Sequence, residues 1–151
     1  MAMVDDGTIT DAFLDWVRGR IVATGLIPSG CVFDEREKDL AWIIGSEVGS
    51  IGGLVCMIGL PGISKAEKAP SASGYNVSLT VVIRRCAVLD STNSHKVAEQ
   101  IFREFDGQRF YPGVASTEDL TPNVSADSLR HTTRNDSDAL HTMTLTYYEQ
   151  L

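Results

Sequence analysis

Alternation between apolar and polar positions is strongest from Tyr75 to Arg84 and predicts a half-buried β-strand there. Apolar side chains share one face of this strand: Tyr75, Val77, Leu79, Val81 and Ile83. Polar side chains hold the other face, where Val82 is the exception. We expect helices to cover the apolar face of the sheet that contains this strand.

Two segments show helical spacing instead. The first runs from Thr10 to Thr24 and is ended by Gly25. The second follows capping side chains at Asp90–Ser94 and ends at Gly107. Its apolar positions are Val97, Ala98, Ile101, Phe102 and Phe105. These spacings predict two amphipathic helices.

Shorter segments complete the order of elements. Cys31–Phe33 and Leu54–Ile58 are predicted strands, and Leu40–Ile44 is an apolar segment of uncertain type. Strands at Val124–His131 and Ala139–Tyr148 are predicted to form a C-terminal hairpin around a turn at residues 132–138. The order predicts an α+β fold in which an antiparallel or mixed sheet of about four to five strands carries two main helices on one face.

The chain is long enough to form one domain over residues 1–151, and 43% of its residues are hydrophobic. Periodicity predicts the residues of its core, which are Phe13, Val17, Ile21, Leu79, Val81, Val97, Ile101, Phe102, Phe105 and Leu145.

The formal net charge of −7 argues against nucleic acid as the main partner, because such binding relies on Lys and Arg. Apolar runs are too short to cross a bilayer, and the N-terminus lacks the pattern of a signal peptide. We therefore expect a cytoplasmic site of synthesis and no membrane partner.

The segment from Pro61 to Gly74 is rich in Pro, Gly, Ser and Lys and predicts a long exposed loop between two strands. Hairpin loops are usually shorter, so this length favours a role in binding a partner. The residues expected to contact that partner are Pro61, Ser64, Lys65, Lys68 and Ser71.

The sequence contains no recognisable catalytic motif. We therefore predict that the protein is not an enzyme and that it binds no cofactor or metal ion. The three cysteines are widely spaced, which favours structural thiols. His95 is expected to be solvated in the first turn of a helix. His131 and His141 are expected to face each other across the terminal hairpin. A cross-strand histidine pair can bind a metal ion, but histidines on an exposed polar sheet face are commoner. The charged residues of segment 34–39 are interpreted as a solvated cluster.

The layout resembles the small proteins at the head–tail junction of tailed bacteriophages, especially the tail terminators, also called tail completion or minor tail proteins. The resemblance lies in the order of elements over nearly the whole chain. It includes the N-terminal helix at Thr10–Thr24, the strand–loop–strand unit at Leu54–Arg85, the helix that begins Asn93–Ile101, and the hairpin that ends in Tyr147–Leu151.

The resemblance implies a structural virion protein, made in the host cytoplasm, that forms a hexameric ring. Such a ring caps the tail tube, joins it to the head connector and lets DNA pass without sequence-specific binding. Its partners are then copies of itself, the tail-tube protein and the head–tail connector protein. One alternative is another head–tail joining or neck protein. The other is a non-viral cytoplasmic α+β module with a ligand-binding or regulatory role.

Overall fold

A computed structural model describes residues 9–45, 53–65, 74–85, 94–111, 121–135 and 138–150. Helix α1 spans Ile9–Thr24 and helix α2 spans Ser94–Phe105. Glycines with positive φ follow both helices, with values of 70° at Gly25 and 79° at Gly107. Glycine adopts this left-handed conformation without steric cost, so both predicted helix ends are confirmed.

Six strands form one mixed sheet in the order β1-β2-β4-β6-β5, with β3 beside β4. Strands β1 and β2 are parallel, and the other pairs are antiparallel. Their bounds are β1 Val32–Asp34, β2 Leu54–Ile58, β3 Gly62–Lys65, β4 Gly74–Arg85, β5 Val124–Asn135 and β6 Asp138–Gln150. The α+β class and the C-terminal hairpin are confirmed, with more strands than the sequence predicted.

Both helices pack on the same face of the sheet and share one core. Nine of the ten predicted core residues are buried there, including Phe13 from α1, Val81 from β4 and Phe105 from α2. Phe102 is the exception, because it lies at the margin of the α2 apolar stripe and is only partly buried. Phe102 still packs against this core and is mostly buried, as predicted, but it is not fully enclosed.

A smaller apolar cluster covers the opposite face of the sheet. The segment of uncertain type, Leu40–Ile44, is a 3-10 helix whose Ile43 packs on Val55, Met57 and Val82. This second apolar layer covers Val82, which explains why an apolar residue stands on the otherwise polar face of β4. Arg84 fastens this layer by donating hydrogen bonds to the carbonyl oxygens of Ile43 at 3.0 Å and Gly45 at 2.8 Å.

Some predicted boundaries change. Cys31 ends a short 3-10 helix, and the strand there runs one residue further, to Asp34. The hairpin turn is tighter than predicted, since the strands stay paired as far as Asn135 and Asp138. Predictions for segments 46–52, 66–73, 86–93 and 112–120 lie outside the described residues.

Candidate functional site

The predicted loop at Pro61–Gly74 is partly a strand, which corrects the sequence interpretation. Residues 62–65 form β3 and pair with β4 from Ser78 back to Tyr75. The apolar-poor composition hid this strand, because β3 needs only backbone pairing with β4 and buries none of its own side chains. Strands β2 and β3 thus run consecutively along the same edge of β4.

A bend at Gly59 and Leu60 separates β2 from β3. The Gly59 amide donates to the carbonyl oxygen of Thr80 at 2.7 Å, and the Leu60 amide donates to the Glu35 carboxylate at 2.7 Å. The register to β4 shifts by one residue across this bend, as at a β-bulge. Glu35 therefore holds the start of β3 in place.

Exposed apolar side chains concentrate around β3. Among the described residues, the large hydrophobic side chains that are exposed are Ile44, Leu60, Ile63 and Tyr75. Ile63 is 54% exposed, although its partner Val77 on β4 is fully buried. Tyr75 lies diagonally across from Ile63 on the same face of the sheet. We call Leu60, Ile63, Lys65 and Tyr75 the β3 edge.

The residues predicted to contact a partner divide into two groups. Ser64 and Lys65 lie on β3 with exposed side chains, and Pro61 directly precedes this strand. Lys68 and Ser71 lie outside the described residues. Sequence reasoning missed Ile63 and Tyr75 as exposed apolar residues, because alternation assigned Tyr75 to a covered face.

The charged segment 34–39 is only partly solvated, which is a second correction: Arg36 and Glu37 are exposed as expected, but Asp34 is not. Asp34 is fully buried and accepts hydrogen bonds from Arg18 at 2.8 Å and from Arg36 at 2.9 Å. Burial alone would raise the pKa of Asp34, but the hydrogen bonds from Arg36 and Arg18 outweigh it and hold this pKa below its usual value. This ion pair joins α1 to the end of β1.

All three histidines of the chain meet where α2 begins above the terminal hairpin. His131 on β5 and His141 on β6 are directly paired, as expected, and their Nδ1 atoms are 2.7 Å apart. The ring of His95 lies 4.5 Å from that of His131 and 4.9 Å from that of His141, between centroids. His95 is therefore packed against two rings rather than solvated, and His141 is fully buried rather than on an exposed face.

Hydrogen-bonding groups also flank the histidine cluster. Ser94 is buried and its Oγ lies 2.8 Å from Nε2 of His141. Glu99 Oε2 lies 3.5 Å from Nε2 of His131. Burial, together with the nearby His131, His95 and Arg85, lowers the pKa of His141 to about 4. His141 is therefore neutral at neutral pH.

Other features offer less chemistry. An open depression between the helices is crossed by an ion pair between Arg20 and Glu104. Cys56 lies in the core, where burial raises the pKa of its thiol to about 12, and it behaves as an apolar side chain. Cys86 lies outside the described residues. No helix in the described part of the chain is long and apolar enough to span a membrane.

Comparison with known proteins leaves the family open. No protein-family model matches the chain, and no curated protein matches it.

Proposed function

We propose that this chain is a structural virion protein of a tailed bacteriophage, a tail terminator that caps the tail tube and joins it to the head connector. The observation that carries the proposal is the β3 edge, where Leu60 and Ile63 are each more than half exposed beside a strand edge. Within the described residues β3 pairs with β4 alone, so its outer backbone groups face away from the sheet. Exposed edges of this kind pair readily with another chain.

The occupant of this edge is a second copy of the chain. Strand β5 forms the opposite border of the sheet and, among the described residues, pairs only with β6. Two different borders on opposite sides of one sheet suit a head-to-tail contact, and head-to-tail contacts that close produce rings. Six copies are expected from the family resemblance.

Charge supports passage of DNA through such a ring. The net charge of −7 disfavours tight binding of a polyanion by like-charge repulsion. The tail-tube protein and the head–tail connector protein are the expected axial partners. The arguments from the strand edge and from net charge apply equally to other ring proteins of the phage neck. Imaging of phage particles that contain this chain distinguishes a tail terminator from these proteins by its position in the particle.

The assembly test compares two aspartate substitutions at exposed isoleucines. Ile63→Asp places a charge on the β3 edge, whereas Ile44→Asp places one at a similarly exposed position on the 3-10 helix, with exposed fractions of 54% and 51%. Native mass spectrometry and electron microscopy of the tag-free protein report the number of copies at high concentration. We expect rings for the unmodified chain and for Ile44→Asp, and their loss for Ile63→Asp.

Loss of rings because a variant is unfolded must be distinguished from loss of the contact between copies. The circular dichroism spectra of the unmodified chain and the two variants should be the same, which would show that all three are folded. A chain that remains monomeric both at high concentration and in particles would contradict the proposal. Equal assembly of the two variants would exclude the β3 edge as the contact between copies.

A further inference from the structure

We infer that His95, His131 and His141 form a binding site for a divalent transition-metal ion, with zinc the best-suited ion. One donor nitrogen from each residue lies within 4.8 Å of the other two. Imidazole nitrogen is a preferred ligand of zinc, and three protein ligands with one open position are a common coordination pattern. The site is independent of the proposed assembly role.

The pair of Nδ1 atoms is the first argument. His131 Nδ1 and His141 Nδ1 point at each other across 2.7 Å, so a proton or another cation must lie between the two lone pairs. In a tetrahedral zinc site with bonds of about 2.0–2.1 Å, neighbouring nitrogens are about 3.3 Å apart. A separation of the two rings by roughly half an ångström therefore admits the ion in place of the proton.

The outer nitrogens are the second argument. Metal-binding histidines usually donate their other ring N–H to a carboxylate, carbonyl or similar acceptor. His141 Nε2 faces the Ser94 hydroxyl at 2.8 Å, and His131 Nε2 faces the Glu99 carboxylate at 3.5 Å. Glu99 favours the tautomer of His131 that carries its proton on Nε2, and the Ser94 hydroxyl can accept a hydrogen bond from Nε2 of His141 once the ion has displaced the proton between the two Nδ1 atoms. Ser94 and Glu99 are positioning residues in this arrangement.

The fold supplies rigidity and access together. His131 and His141 sit on paired strands, and His95 comes from the first turn of α2, so the ion joins the helix to the hairpin. His141 is buried, whereas 29% of the His131 side chain is exposed and gives the ion a route from solvent. Glu99 lies one helical turn from His95 and adds a negative charge beside the ion.

The test uses tag-free protein that has been treated with EDTA and dialysed, so that no added histidine contributes. Calorimetric titration with Zn²⁺ should give one site per chain, and saturation should raise the Tm. Excess Mg²⁺ should not displace zinc, because magnesium prefers oxygen ligands. With Co²⁺, the protein should show the intense visible absorption of a tetrahedral complex.

Matched variants locate the site. His95→Gln and His131→Gln should abolish saturable binding, whereas Thr132→Gln, at an exposed position next to His131, should leave it unchanged. Glu99→Gln should weaken binding about 10- to 100-fold while the visible Co²⁺ spectrum keeps its tetrahedral form, as expected for a positioning residue.

Three results would overturn the inference. These are the absence of saturable zinc binding, binding that persists in His95→Gln, and a Co²⁺ complex with only the weak bands of octahedral coordination. If His131→Gln proves unfolded by circular dichroism, the titration of His95→Gln and the Co²⁺ spectrum of the unmodified protein decide the question. The alternative under those results is a cluster held together by hydrogen bonds alone.

Discussion

Arg18 donates a hydrogen bond from Nη1 to Oδ2 of Asp34 at 2.8 Å, which joins the middle of α1 to the last residue of β1. Arg18 also donates a hydrogen bond from Nη2 to the backbone carbonyl oxygen of Val32 at 2.8 Å. One guanidinium group therefore binds both a backbone carbonyl of β1 and the carboxylate at the end of this strand. Only 1% of the Asp34 side chain is exposed. An acidic residue at this depth is stable because two arginines reach it.

Asp34→Asn should destabilise the fold. The substitution keeps the shape of the side chain but removes the charge that Arg18 and Arg36 share. We expect a loss of about 1.5–3 kcal/mol in the free energy of unfolding, limited by the partial exposure of both arginines. Urea denaturation measures this loss. Glu37→Gln, which changes a half-exposed partner of Arg18, is the matched control and should have much less effect.

The same carboxylate predicts a direction of pH dependence. Because the pKa of Asp34 is lower in the folded state, the unfolded chain binds the proton more tightly. The stability that Asp34 contributes is therefore fully present above the ordinary pKa of 3.8 and is lost as the pH falls below it. Denaturation curves at pH 5 and pH 3 should show a smaller acid-induced loss for Asp34→Asn than for the unmodified chain. An equal loss in both would count against this role.

Two neighbouring phenylalanines of α2 should differ in their contribution to stability. Phe105 is fully buried and its ring meets Trp16 edge-on at 5.7 Å, whereas Phe102 is only partly buried. Phe105→Ala should cost about 3–5 kcal/mol, because it leaves a cavity in the core. Phe102→Ala should cost clearly less. Thermal or urea unfolding of the two variants checks the order, and a reversed order would contradict the assigned face of α2.

Shortening the chain after β3 tests whether residues 66–73 contact a partner. Lys65 on β3 pairs with Tyr75 on β4, so a short Gly-containing turn can replace residues 66–73 without breaking this pairing. We expect the variant to keep its Tm within a few degrees but to fail in capping tail tubes. The replaced segment includes Lys68 and Ser71, two of the predicted contact residues. Phage particles with normal infectivity and this variant incorporated would refute a partner role for the segment.

The sequence by itself determined the helices and strands in which apolar residues recur at a regular spacing. Helix α1, helix α2 and strand β4 each place apolar side chains on one face, and a face of that kind must be buried wherever the element lies. The glycines that end the helices acted locally too, through a positive φ at Gly25 and Gly107. For this reason the α+β class and most of the core could be predicted.

Tertiary structure decided what depends on distance between elements. Asp34 looked solvated in a charged segment, yet Arg18, sixteen residues earlier, makes its burial stable. Strand β3 carries no apolar period, since its pairing with β4 uses backbone groups that every residue has. The histidine cluster forms because α2 begins above the β5–β6 hairpin, which brings His95 to a cross-strand pair. The local spacing of apolar residues predicts none of these three contacts, because each one joins parts of the chain that only the folded sheet brings together.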